Sequence, residues 1–203
     1  LLLGIEAVNL SQSISQTIHM KNIIAFAGSN SSTSINHKLV VFAASQIKNH
    51  HENYQVKVIK LTDFNLPMFS EDLEKEQGFS PNLRLLHQEI ANADGVIIAV
   101  NEYNSGVSGF FKNTTDWLSR IDRDFLKSKK VLLLSTSPGG RGAMTALEFT
   151  KNVFPRFGAE ITDSFSFPKF YENFSTEENK ILDEALSLSF NDVLQNFIRQ
   201  LES

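Results

Sequence analysis

Short, nearly unbroken apolar runs alternate along this chain with segments of helical periodicity, and that alternation restricts the fold more than any other feature. Lys21–Ala27 (KNIIAFA), Asp94–Val100 (DGVIIAV) and Lys130–Thr136 (KVLLLST) lack the polar–apolar alternation of strands with one wet face. They read as strands buried on both sides, the pattern of a parallel sheet. Gln55–Leu61 and Ala159–Asp163 supply a second and a fifth strand. Helical spacing falls between them, at Ile35–Ile47, Asn82–Asn92, Gly109–Ile121 and Ala143–Phe154. A long C-terminal helix is expected over Thr176–Leu201, with a break near Asn191. Strands alternating with helices predict a single α/β domain over residues 20–203, with a parallel sheet covered on both faces by right-handed crossovers. Asp63–Pro81 is an unusually long connection with two prolines, a pattern often found at lids and clefts.

Composition limits the function classes. The chain has 203 residues, 41% hydrophobic and 21% charged, as ordinary globular domains do. A formal net charge of −4 provides no general field for nucleic acid or an anionic membrane, so neither is an expected partner. No cysteine is present, which excludes disulfides, thiolate metal ligands and a cysteine nucleophile. No apolar run approaches the roughly 20 residues needed to span a bilayer. Residues 1–19 do not read as a signal peptide, because no Lys or Arg precedes Lys21 and Glu6 interrupts the apolar stretch. They are expected to be an appendage of unknown role, with Met20 as a natural start and the cytoplasm as the default location. The five histidines, His19, His37, His50, His51 and His87, show no metal-ligand spacing.

In an open parallel sheet, ligands sit beyond the carboxyl ends of the strands, so the loops after strands one, three and four are the places to search. After strand one, Gly28 permits a sharp turn. Ser29–Asn36 then surrounds a helix start with five hydroxyls and two amides. Free backbone N–H groups and the helix dipole favour an anion there, and a phosphate monoester suits so neutral a cradle. A plain N-cap by Thr33 or Ser34 explains the same residues. After strand three, Glu102, Tyr103, Asn104, Ser105 and two glycines form a loop whose backbone can approach a flat ligand. Phe110, Phe111, Thr114, Trp117, Leu118 and Ile121 of the next helix share one arc of roughly 120° and face the core. After strand four, Ser137-Pro138-Gly139-Gly140-Arg141-Gly142 enters another helix. No Walker loop, complete GxGxxG or GxSxG elbow occurs in the chain.

Together the three segments resemble the NADPH-dependent FMN reductase family of flavodoxin-like proteins, over about Met20 to Asp163. The most specific part is Glu102-Tyr103-Asn104 followed by Gly109, Lys112-Asn113, Asp116 and Trp117-Leu118. Gly28-Ser29 with Ser34 and Asn36, and Ser137-Pro138-Gly139, carry the rest. The resemblance implies a five-stranded doubly wound sheet in the order 2-1-3-4-5. It places an FMN phosphate at Ser29, Asn30, Ser34, Ile35 and Asn36. The isoalloxazine then lies against Glu102, Tyr103, Asn104 and Ser105, near Ser137, Pro138, Gly139 and Gly140. It also implies NAD(P)H as co-substrate, a small electron acceptor, and a homodimer or homotetramer. The flavin would carry the chemistry, with no dedicated protein acid or base.

This chain departs from the family pattern at three positions: Asn30 stands for arginine, and Asn101 and Ser108 stand for prolines. The loop after strand four is one residue shorter, so no role passes to Arg141. Two other readings share these features: a flavin-binding electron carrier that does not oxidise nicotinamide, and a flavin-free interaction protein. The aromatic group Phe165, Phe167, Phe170, Tyr171 and Phe174 reads as a subunit interface, or as a cluster covered by the C-terminal helix of the same chain.

Overall fold

The computed structural model describes residues 20–203, and the expected N-terminal appendage, residues 1–19, lies outside the described residues. The apolar runs form the strands of one parallel sheet: β1 (Lys21–Ala27), β2 (Tyr54–Val58), β3 (Gly95–Val100), β6 (Lys129–Thr136) and β7 (Ala159–Phe167). Their order is β2-β1-β3-β6-β7, which is 2-1-3-4-5 when these five strands alone are counted. Two short antiparallel hairpins accompany the sheet: β4 (Glu102–Tyr103) with β5 (Gly106–Val107), and β8 (Phe174–Ser175) with β9 (Lys180–Ile181).

Helices α1 (Ile35–His50) and α7 (Glu184–Glu202) cover one face of the sheet. Helices α3 (Pro81–Ala91), α4 (Gly109–Ile121) and α5 (Met144–Val153) cover the other. Alternate residues of each strand serve opposite faces. Ile23, Ala25 and Ala27 of β1, with Ile97 and Ala99 of β3, pack toward α1 and α7. Ile24, Phe26, Val96, Ile98 and Val100 pack toward α3–α5. Both faces being buried is the physical reason the strands read as continuous apolar runs.

Three expectations change. The connection after β2 is not a bare loop: it holds a 3₁₀ turn at Leu61–Phe64 and α2 (Glu71–Gln77), capped by Ser70. Residues of the strand-three motif anchor it. Asn113 Nδ2 and Trp117 Nε1 both donate to the Pro67 carbonyl, at 2.9 and 2.8 Å, and Phe69 N donates to Asn113 Oδ1 at 2.7 Å. The C-terminal helix starts at Glu184, where the Asp183 carboxylate caps Leu186 N, because residues 174–181 are taken up by the β8–β9 hairpin. It runs unbroken past Asn191, which lies on its solvent side. Strand β7 extends to Phe167, since its paired register with β6 continues past the bulge at Val131/Leu132.

The aromatic group is covered within one chain, not presented as an interface. Phe167, Phe170 and Phe174 are buried, Phe165 meets Phe190 of α7 edge-on at 5.6 Å, and Phe42 of α1 meets Phe174 at 5.3 Å. Only Tyr171 of the group is exposed. Helix α6 (Phe170–Asn173) carries this group's turn and stacks Phe170 on Phe174 at 4.9 Å. Phe170→Ala is therefore expected to lower unfolding stability by about 3–5 kcal/mol, the range for a truncated core phenylalanine. Denaturant titration checks this; the loss should be the same at low and high protein concentration.

Candidate functional site

Parallel pairing brings the carboxyl ends of β1, β3 and β6 side by side, and the loops leaving them are tied to one another pairwise. Ser108, the N-cap of α4, donates its hydroxyl to the Gly28 carbonyl at 2.6 Å while accepting from Phe111 N at 3.0 Å. Asn36 clasps the end of β6 with both ends of its amide: Nδ2 donates to the Thr136 carbonyl, and Thr136 N donates to Oδ1, each at 3.0 Å. Glu102 accepts from Ala146 N at 2.9 Å, which caps α5 from another loop. That helix needs an outside cap, since its own N-cap residue is Ala143, in the left-handed region at φ 65°. A carboxylate at a helix N-terminus is also favoured by the dipole.

Gly28 sits at the bend where the chain leaves β1 and also serves close packing. Its φ lies outside the left-handed region, and a Cβ there would come within 2.5 Å of Phe111 Cγ. In the second loop the left-handed positions are Asn104 and Ser105, at φ 51° and 62°, which form the two-residue turn of the β4–β5 hairpin. Two positive φ angles are what a type I′ hairpin turn requires, and Asn tolerates them well.

Between the three loops lies an open cleft of about 220 Å³. From the first loop it is lined by Ser29, Ser31 and Thr33–Asn36, from the second by Glu102 and Tyr103, and from the third by Ser137 and Pro138. Asn30, Asn104, Ser105, Gly139 and Gly140 are exposed or half-buried nearby but do not line it. Sequence reading missed Asn101, Thr136 and Tyr171 as lining residues. Tyr171 arrives from far along the chain because Lys169 N and Phe170 N bond to the carbonyls of Gly139 and Ser137, at 3.0 and 3.1 Å. No local pattern near Tyr171 signals that docking. Ser108 was visible as a helix-start serine, and Asn101 as the residue ending an apolar strand.

The first loop is a donor array. Ser29 Oγ accepts from Ser31 N at 3.2 Å and Ser34 Oγ accepts from His37 N at 3.1 Å, so each hydroxyl keeps its own proton to donate. The N–H groups of Ile35 and Asn36 at the start of α1 find no acceptor among the described residues. Burial, with Lys60 nearby, holds His37 below the usual histidine range, so its ring adds no charge at neutral pH. An anion here would be held by neutral donors and the helix dipole. Other hollows lack this array: one of about 240 Å³ lies under Leu66, Phe79 and Trp117, and a wider groove of about 680 Å³ runs along β2.

The Glu102 tie can be tested alone. Glu102→Ala leaves Ala146 N–H without its acceptor and is expected to cost about 0.5–2 kcal/mol, as for other lost caps. Glu102→Gln keeps an acceptor oxygen and should recover part of that loss in the same urea titration.

Comparison with known proteins agrees with this architecture. A quinone reductase of Escherichia coli is 40% identical over 75 residues, a stretch covering 37% of this chain and 40% of that protein's length. A subunit of an NADH-dependent flavin reductase of Lactobacillus johnsonii is 28% identical over 193 residues, covering 89% of this chain and 97% of its own length. Among solved structures, a flavoenzyme NAD(P)H:(acceptor) oxidoreductase from Paracoccus denitrificans superposes with a TM-score of 0.70 at 24% identity, covering 90% of this chain and 98% of that one, a likeness of fold. The family model for NADPH-dependent FMN reductases matches residues 21–172, the span that holds all three loops and Tyr171, and the chain belongs to that family.

Proposed function

We propose that the protein is an FMN-dependent oxidoreductase that passes electrons from NAD(P)H, by way of bound flavin, to a small acceptor such as a quinone, an azo compound, free flavin or a metal oxyanion. The observation that carries this reading is the cleft itself. It joins a neutral anion cradle at the start of α1 to two flat walls, Tyr103 and Pro138, across loops that are tied together. The cleft also contains an unpartnered buried amide oxygen, Asn101 Oδ1, as a site built for a polar heterocycle would. FMN, when bound, supplies the redox chemistry. Ser29, Ser34 and the N–H groups of Ile35 and Asn36 would hold its phosphate. The β4–β5 hairpin and Ser137–Gly140 would bound its ring, with Tyr171 at the rim. Asn36 would contribute through its N–H alone, since its side chain is committed to Thr136.

The family and the related NADH-dependent flavin reductase support a nicotinamide-driven reaction, and the acceptor class is part of the proposal. We also propose a homodimer or homotetramer in the cytoplasm. The family resemblance is what supports such an assembly. None of the described helices is long and apolar enough to cross a membrane. Light scattering that returns a monomer mass would overturn the assembly.

The direct test of the function is purification followed by assay. The protein should be yellow, release FMN on denaturation, and oxidise NAD(P)H rapidly with a quinone or dye. Flavin binding without nicotinamide turnover would make it an electron carrier, and no flavin binding would leave an interaction protein. Ser34→Asp tests the cradle separately. Aspartate caps a helix about as well as serine, so the fold should survive. Its charge would face the phosphate, and FMN binding should weaken at least tenfold, which is about 1.4 kcal/mol. Riboflavin, with the same ring and no phosphate, should bind almost as before, and an unchanged FMN-to-riboflavin ratio would reduce the loop to a helix cap.

A further inference from the structure

Asn101 follows the last residue of β3 and is 7% exposed. Its backbone carbonyl accepts from Ser108 N at 3.1 Å, so the main chain there is satisfied. Its side chain is not. The amide makes no hydrogen bond among the described residues, and Oδ1 is the one buried side-chain oxygen or nitrogen among them without a partner. The other buried polar side chains around the cleft are bonded, among them Ser108, Asn36 and Thr136. A buried amide left unpaired weakens the fold, and an apolar side chain of the same volume would remove that penalty. Asn101 also lines the cleft, together with residues of the first loop and Thr136–Pro138. An unpaired group kept at a binding site, against the interest of stability, points to a ligand that completes it.

Resting on the flavin reading above, we propose that Asn101 is the residue that orients the bound ring, by pairing its amide with the ring's polar edge. A primary amide offers one acceptor beside a donor. The pyrimidine half of a flavin offers the matching set, an N3–H flanked by two carbonyls, whereas the dimethylbenzene half carries no hydrogen-bonding atom. Asn101 is thus a positioning residue: it selects which half of the ring lies at the end of β3. A proline at this position, which has no side-chain hydrogen-bonding group, could not make that selection.

The test is a titration of the full chain with FMN and with 3-methyl-FMN, in which N3–H is blocked, alongside Asn101→Leu. Wild type should prefer FMN over the methylated analogue at least tenfold. Asn101→Leu should bind FMN at least tenfold more weakly and treat the two flavins nearly alike. Its flavin-free thermal midpoint should match or exceed that of wild type, because an unpaired buried amide has been replaced by an apolar group. A purely structural asparagine would give the opposite sign, so a lowered midpoint or failure to fold overturns the inference. So does wild type binding both flavins equally, a result that needs no variant. If wild type binds FMN and Asn101→Leu binds it as tightly, the orientation role fails while the flavin site stands. If wild type binds no FMN, the flavin reading fails and the inference falls with it.

Discussion

Parallel pairing of β1, β3 and β6 is the constraint on which the rest depends. In a parallel sheet every strand ends on the same side, so the three loops that leave these strands meet at one edge whatever their sequences. The ladder sets their proximity; it does not set their shape. Shape comes from three ties that run between loops, four hydrogen bonds in all: Ser108 to Gly28, Asn36 with Thr136 twice, and Ala146 to Glu102. Each bond joins a side chain of one loop to the backbone of another, so the cleft is closed as a triangle. Net gains of about 0.5–1.5 kcal/mol per bond are small individually. As a set they hold the walls before any ligand arrives, which reduces the ordering cost of binding.

The same ties explain residue choices that read differently in one dimension. Glu102 looks like a ring contact, yet its carboxylate is spent on the start of α5. Asn36 looks like a phosphate ligand, yet its amide clasps β6. Asn113 and Trp117 look like part of a flavin motif, and their polar atoms hold the long connection at Pro67 and Phe69. The motif is thus as much an instruction for assembling the loops as for touching a ligand. Two further residues fit this division: Ser108 makes a tie, whereas Asn101 leaves its amide oxygen unspent.

Neutrality of the first loop has a physical consequence. With Asn30 in place of arginine and His37 held neutral by burial, the cradle offers dipoles, hydroxyls and free N–H groups, with no formal charge among them. Attraction of that kind falls off within the first turn of the helix. Geometry at the start of α1 therefore matters more here than the overall charge of the chain.

The sheet and its helices were legible in the sequence because burial on both faces writes continuous apolar runs, and helices write their own period beside them. The end of the sheet where the loops gather followed from the same pattern, and so did the presence of hydroxyls at a helix start. What the sequence could not determine was which donor meets which acceptor. Glu102 and Ala146 lie 44 residues apart, and Asn36 and Thr136 lie 100 apart. Tyr171 reaches the cleft only because its segment docks on Ser137 and Gly139. The aromatic group around Phe170 is inside and not on a surface because α1 and α7 cover it. Local periodicity records how much of a residue is buried; the partner against which it is buried exists only after the chain has closed on itself, and the tertiary structure alone decided that.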